Sequence, residues 1–80
     1  MLKQKQGEHL LVSYQVEIMT PNGALIQGRM ADVSDDGARI EVGSILGVPD
    51  KFHVKVKASE EVFAARVVWK KPRSVGIAFD

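Results

Sequence analysis

Asp32-Val33-Ser34-Asp35-Asp36-Gly37-Ala38-Arg39-Ile40-Glu41-Val42 joins a polar hexapeptide of the form D-x-S-x-x-G directly to a segment in which apolar and polar residues alternate. Ala38, Ile40 and Val42 share one parity and Arg39 and Glu41 the other, the period of a strand with one buried face. Asp32 and Ser34 stand two apart, so in an extended chain they project to one face. Gly37 lacks a Cβ and allows a tight turn or a positive φ. Taken alone, the hexapeptide also reads as an ordinary turn, because Asp, Ser and Gly bond or accommodate nearby backbone. The flanking sequence gives it more meaning.

Outward from this stretch, the same period recurs in both directions. Val12, Tyr14, Val16 and Ile18 alternate with Ser13, Gln15 and Glu17, and Thr20-Pro21-Asn22-Gly23 then supplies a hairpin turn. The returning run Ala24 to Val33 contains Gly28, which suggests a bulge or bend that helps a sheet curl. Gly43 to Asp50, with Gly47 and Pro49, reads as a loop. Phe52, Val54 and Val56 form a fourth strand, and Ala58-Ser59-Glu60-Glu61 a turn. Phe63, Ala65, Val67 and Trp69 give the inward face of a fifth strand. Lys70 to Ser74 reads as a connection, and Val75, Ile77 and Phe79 as a sixth strand. Six short strands in 80 residues favour an all-β fold, a small six-stranded antiparallel β-barrel, because a two-layer sandwich of this size would bury little and closure removes exposed edges. Residues 1–11 read as a flexible N-terminal segment and 12–80 as the barrel domain.

Composition narrows the function classes. There is no cysteine, hence no disulfide framework, thiolate metal site or Cys nucleophile, which fits a reducing cytoplasm. No apolar run approaches the roughly 20 residues that cross a bilayer as a helix, so membrane insertion is not expected. His9 and His53 lack metal-ligand spacing, no phosphate loop is present, and no Ser lies in a nucleophile motif, so catalysis is not expected. Asp32, Asp35 and Asp36 lack the ligand series of a calcium loop. Residues 1–50 carry four Lys or Arg against seven Asp or Glu, and residues 51–80 carry seven against three. The basic half attracts an anionic partner. A nucleic-acid-binding barrel ranks last nonetheless, because the aromatics Tyr14, Phe52, Phe63, Trp69 and Phe79 mostly fall on core parity, whereas strand-binding barrels expose them for stacking.

From Val12 to Phe79 the order of features resembles a PilZ domain: a first hairpin, D-x-S-x-x-G-A before a strand, Ala65-Arg66-Val67-Val68-Trp69-Lys70, and a closing Val75-Gly76-Ile77-Ala78-Phe79. The Gly43 to Asp50 loop followed by Lys51-Phe52 is similar to short PilZ proteins of alphaproteobacteria. The resemblance implies a cytoplasmic bacterial signalling module whose ligand is the second messenger cyclic di-GMP, bound singly or as an intercalated dimer. It implies that Asp32 accepts from the guanine N1–H and N2–H, that Ser34 bonds a base or phosphate oxygen, that Gly37 lets backbone approach, that Arg39 contacts phosphate and that Trp69 lies beside a base. Core burial is the competing reading for Trp69.

The resemblance is incomplete at the N-terminus. Cyclic di-GMP receptors of this family carry R-x-x-x-R before the first strand, and here the same spacing is filled by Lys5 and His9, with no arginine before Arg29. Lysine neutralises phosphate without offering a planar fork to guanine. The implied binding is therefore weak. The alternative is a degenerate domain that acts as a nucleotide-independent protein interaction module.

Overall fold

The computed structural model describes the backbone of residues 10–80 and side chains from residue 13 onward. Six strands form in chain order: β1 (Leu10–Met19), β2 (Leu25–Val33), β3 (Gly37–Val42), β4 (Lys51–Val56), β5 (Val62–Lys71) and β6 (Ser74–Phe79). They close an antiparallel barrel in the order β1-β2-β3-β6-β5-β4, with β4 returning to β1. The alternation starting at Val12 locates β1, although the strand itself begins at Leu10. Residues 1–9, including Lys5 and His9, lie outside the described residues.

Parity sorts the core as the alternation requires. Val16, Ile18, Met30, Ile40, Val42, Phe52, Val54, Val56, Ala65, Val75 and Ile77 fill the interior. Among the described residues no polar side chain is buried with them. At roughly 25 cal/mol per Å² of apolar surface removed from water, each of the Val, Ile, Met and Phe side chains stabilises the barrel by about 1.5–3 kcal/mol before chain entropy is subtracted. The 43–50 loop adds Val48, which is buried against the same core. Val48 N–H donates to the Ile45 carbonyl at 3.0 Å, and the Val48 carbonyl accepts from Lys70 Nζ at 3.0 Å. The loop is therefore a packed cap, with Gly47 at φ +86° allowing its turn.

The turns follow local chemistry. Gly23 takes φ +92°, its N–H donates to the Thr20 carbonyl at 3.0 Å, and Thr20 N–H donates to the Ala24 carbonyl at 2.9 Å, fixing the first hairpin. The β5–β6 connection is shorter than the run Lys70 to Ser74 suggests. Lys71 pairs with Ser74, which leaves only Pro72 and Arg73 in the turn.

Three further expectations are corrected. Gly28 is not a bulge: it pairs in register with Val16 and Val42, and a Cβ there would stand 2.9 Å from the Glu41 carbonyl oxygen, so the glycine permits close approach of β3. The irregularity in β2 lies instead at Ala31, because Met30 pairs with Ile40 and Asp32 with Arg39. Tyr14 keeps its inward parity opposite Met30 but stands at the mouth of the barrel, 46% exposed. Trp69 is not in the core: β5 carries its own extra residue at Val68, and the indole faces outward, 38% exposed.

Candidate functional site

Strict alternation would send Asp32 to the same face as Met30, and Trp69 to the same face as Val67. A one-residue bulge in each strand reverses this. At Ala31 β2 advances by two residues, from Met30 to Asp32, while β3 advances by one, from Ile40 to Arg39. At Val68 β5 advances by two residues, from Val67 to Trp69, while β6 advances by one, from Ile77 to Gly76. Met30, Ile40 and Ile77 are buried, so the partners one step on, Arg39 and Gly76, belong to the outer face, and Asp32 and Trp69 join them. Asp32 pairs with Arg39, Arg39 with Gly76, and Gly76 with Trp69. The four residues form a single row across β2, β3, β6 and β5.

This row floors a surface depression of about 380 Å³. Asp32, Ser34, Gly37, Arg39 and Trp69 all line it, together with Asp36 and Gly76. Five of the seven residues proposed from sequence are thus brought together; Lys5 and His9 fall outside the described residues. The aromatic rank order also changes. Phe52 is core, Phe63 and Phe79 pack against the core with ring centroids 5.5 Å apart, and Trp69 is free to face a ligand.

Each side chain is held by identifiable partners. Ser34 closes the β2–β3 connection: its N–H donates to the Gly37 carbonyl at 2.8 Å, and its Oγ accepts from Asp36 N–H at 3.4 Å. Gly37 is needed for packing and not for a positive φ. A Cβ there would lie 1.9 Å from the Ile77 carbonyl oxygen, so only glycine lets β3 meet β6 at this point. Phe79 N–H donates to the Asp36 carbonyl at 2.9 Å, fastening the same corner.

Gly76, noted in the closing strand, was not among the site residues expected from sequence, yet it lines the depression. A Cβ at position 76 would stand 2.0 Å from Trp69 Nε1, because the indole lies across the bare backbone of β6. The ammonium of Lys71 sits 5.2 Å from the centre of the same ring, within cation–π range. The signal was available in two places: Val67-Val68-Trp69 breaks the alternation, and Gly76 falls on the polar parity of β6 between Val75 and Ile77.

Charge is paired along the row. Arg39 Nε donates to Asp32 Oδ2 at 2.8 Å and its Nη1 to Glu41 Oε2 at 2.9 Å, while Arg29 donates to Glu41 Oε1. The hydrogen bond to Asp32, followed by that to Glu41, raises the Arg39 guanidinium above its ordinary value against the opposing effect of burial. Arg29 first, and then Arg39, lowers the Glu41 carboxyl. Asp32 keeps Oδ1 outside this pairing. The depression offers carboxylate acceptors from Asp32 and Asp36, a hydroxyl from Ser34, a planar donor from Arg39 and a flat apolar plane from Trp69. Among the described residues no group of acidic or histidine side chains is arranged to hold a metal ion.

The family model for the PilZ domain matches residues 4–80. The chain belongs to the PilZ domain family. PilZ domains are, in general, non-catalytic signalling modules that bind cyclic di-GMP and often act on protein partners. Among curated proteins none matches this PilZ domain. Among the described residues no helix is long and apolar enough to cross a membrane.

Proposed function

We propose that this PilZ domain is a non-catalytic cytoplasmic receptor module for cyclic di-GMP, with weak affinity. The observation that carries the reading is the pair of bulges at Ala31 and Val68, which turn Asp32 and Trp69 out of core parity and into one depression. In this reading the Asp32 carboxylate accepts from guanine N1–H and N2–H, with Oδ1 the acceptor outside its pairing to Arg39. Ser34 bonds a base or phosphate oxygen. The Trp69 indole supplies a plane beside the purine, and base–aromatic stacking is worth about 1–3 kcal/mol. Arg39 serves phosphate with whatever donors its two carboxylates leave unused. Lys5 contributes charge from the N-terminal segment, and His9 an imidazole that is mostly neutral at pH 7.

Weak affinity follows from the donor set. Lys5 and His9 stand where the family's receptors carry two arginines, and the lost bidentate charge-assisted bonds lower affinity tenfold for every ~1.4 kcal/mol. Glu8 adds like charge near a phosphate. A second reading, a protein interaction module indifferent to the nucleotide, is favoured by the Arg39–Asp32 pair, which already occupies one of the acceptors that guanine would need.

Calorimetric titration of the purified domain with cyclic di-GMP, with GTP as control, separates the two. Saturable binding weaker than low-micromolar, reduced further by both Asp32→Ala and Lys5→Ala, supports the receptor reading. Absence of heat up to millimolar nucleotide favours the interaction module, and capture of a partner that ignores the nucleotide would then identify its role.

A further inference from the structure

A second depression, of about 330 Å³, lies beside the first and shares Arg39 with it. Arg39, Glu41, Arg73 and Ser74 line it. Its position follows from the two-residue β5–β6 turn: Arg73 occupies that turn, and its carbonyl accepts from Val42 N–H at 2.9 Å, which pins it against the end of β3. Ser74 pairs with Glu41 as Gly76 pairs with Arg39, so the second depression is the continuation of the Asp32–Arg39–Gly76–Trp69 row two residues along β3 and β6. Two residues of strand amount to about 7 Å. That is the scale on which a purine base and the phosphate of its own nucleotide are separated.

The two depressions differ in charge. The first holds two carboxylates, Asp32 and Asp36, against one guanidinium. The second holds two guanidiniums against Glu41, whose carboxylate is already engaged by Arg29 and Arg39. Arg73 makes no ion pair among the described residues, in contrast to Arg29, Arg39 and Arg66. Lys71 pairs with Ser74 from β5, and its ammonium sits over Trp69 of the first depression. An acceptor-rich end beside a cation-rich end complements a ligand with N–H donors at one end and an anion at the other.

We propose that Arg73, with Ser74 and Arg39, forms a phosphate-binding subsite that continues the base depression and takes a phosphodiester oxygen of the bound nucleotide. The proposal rests on the cyclic di-GMP reading for the identity of that nucleotide. Arg73 is suited to the role because a guanidinium not engaged by a carboxylate presents two parallel N–H donors to a phosphate, and the neighbouring Ser74 hydroxyl supplies a third.

The test uses the whole chain and two ligands. Inorganic pyrophosphate, followed by amide and guanidinium NMR signals, should shift Arg73 and Ser74 saturably in the parent domain and lose that response in Arg73→Gln. Calorimetry should show the preference for cyclic di-GMP over guanosine falling about tenfold in Arg73→Gln. Lys55→Gln on β4 removes the same charge from a strand that neither borders nor lines the subsite. No pyrophosphate response at Arg73 and Ser74, or an equal loss in Lys55→Gln, overturns the subsite. Weakening by Asp32→Ala with no effect of Arg73→Gln overturns the subsite and leaves the receptor reading standing. If the parent domain ignores cyclic di-GMP, the receptor reading fails and the pyrophosphate response alone decides the subsite.

Discussion

Trp69 and Gly76 face each other across β5 and β6, and the indole of the first occupies the space in which a side chain of the second would stand. The chain has one tryptophan, so its fluorescence reports this contact without interference. Gly76→Ala should displace the ring, shift its emission to the red and destabilise the domain by about 1–3 kcal/mol through overpacking. In a Trp69→Ala background the same substitution should cost much less. A double-mutant cycle showing additive costs would rule out the contact as the reason for the glycine.

Two other glycines predict opposite outcomes for one substitution. Gly37→Ala forces a methyl against the Ile77 carbonyl, backbone on backbone, and should lower stability by more than about 3 kcal/mol or prevent folding. Gly43 has no positive φ and open space where its Cβ would stand, so Gly43→Ala should be neutral or stabilise by up to about 1 kcal/mol. Chemical denaturation of the two variants checks both directions.

Deleting Ala31 removes the extra residue of β2 and leaves Met30 and Asp32 adjacent, so ordinary alternation then turns Met30 inward and Asp32 outward opposite Arg39 without a bulge. The deletion variant should unfold cooperatively and keep Asp32 on the outer face. Loss of a cooperative thermal transition would show that the extra residue serves closure of the barrel and not the facing of Asp32.

Acid should weaken the fold through Glu41. Its folded carboxyl titrates below its unfolded value, so its pairs stabilise the barrel above the unfolded value near ~4.3, and that contribution disappears as pH falls through the folded value. Urea midpoints measured between about pH 6 and 3 should fall more steeply for the parent chain than for Glu41→Gln. Equal slopes would show that the Arg29 and Arg39 pairs to Glu41 are too exposed to matter.

For the proposed guanine contact, Asp32→Asn is more discriminating than Asp32→Ala. The amide keeps the size of the side chain but sets an N–H₂ where guanine also presents donors. Loss of cyclic di-GMP affinity by about tenfold or more in both variants is expected. Wild-type affinity in Asp32→Asn would exclude a two-acceptor role.

The strands were legible because inward positions such as Val16, Ile18, Ile40, Val54 and Val75 repeat with the period of the pleat. The hairpin at Asn22-Gly23 was legible because a positive φ at Gly23 needs that residue. What alternation could not supply was where it is interrupted. A bulge at Ala31 or Val68 adds a residue without changing composition, so counting by twos put Trp69 inside when it lies outside. The closeness of Asp32, Ser34, Gly37 and Arg39 followed from their sequence neighbourhood; the approach of Trp69 and Gly76 from the far end of the chain depended on β6 inserting beside β3, which no local pattern announces. Gly37 was read as a concession to a ligand, and the close approach of the Ile77 backbone is a second demand for glycine that no local pattern showed.

Since β6 lies between β3 and β5, the carboxylate side and the indole side of the depression have no common border until that strand is seated. Detaching β6 would part Asp32 from Trp69 while leaving the β1–β2 and β4–β5 pairings formed. Barrel closure and assembly of the recognition surface are then one event. An inward residue of β6 such as Val75, which does not line the depression, would score as an affinity mutant in an assay at a single temperature, and only a stability measurement alongside would reveal that it acts on the wall and not on what it holds.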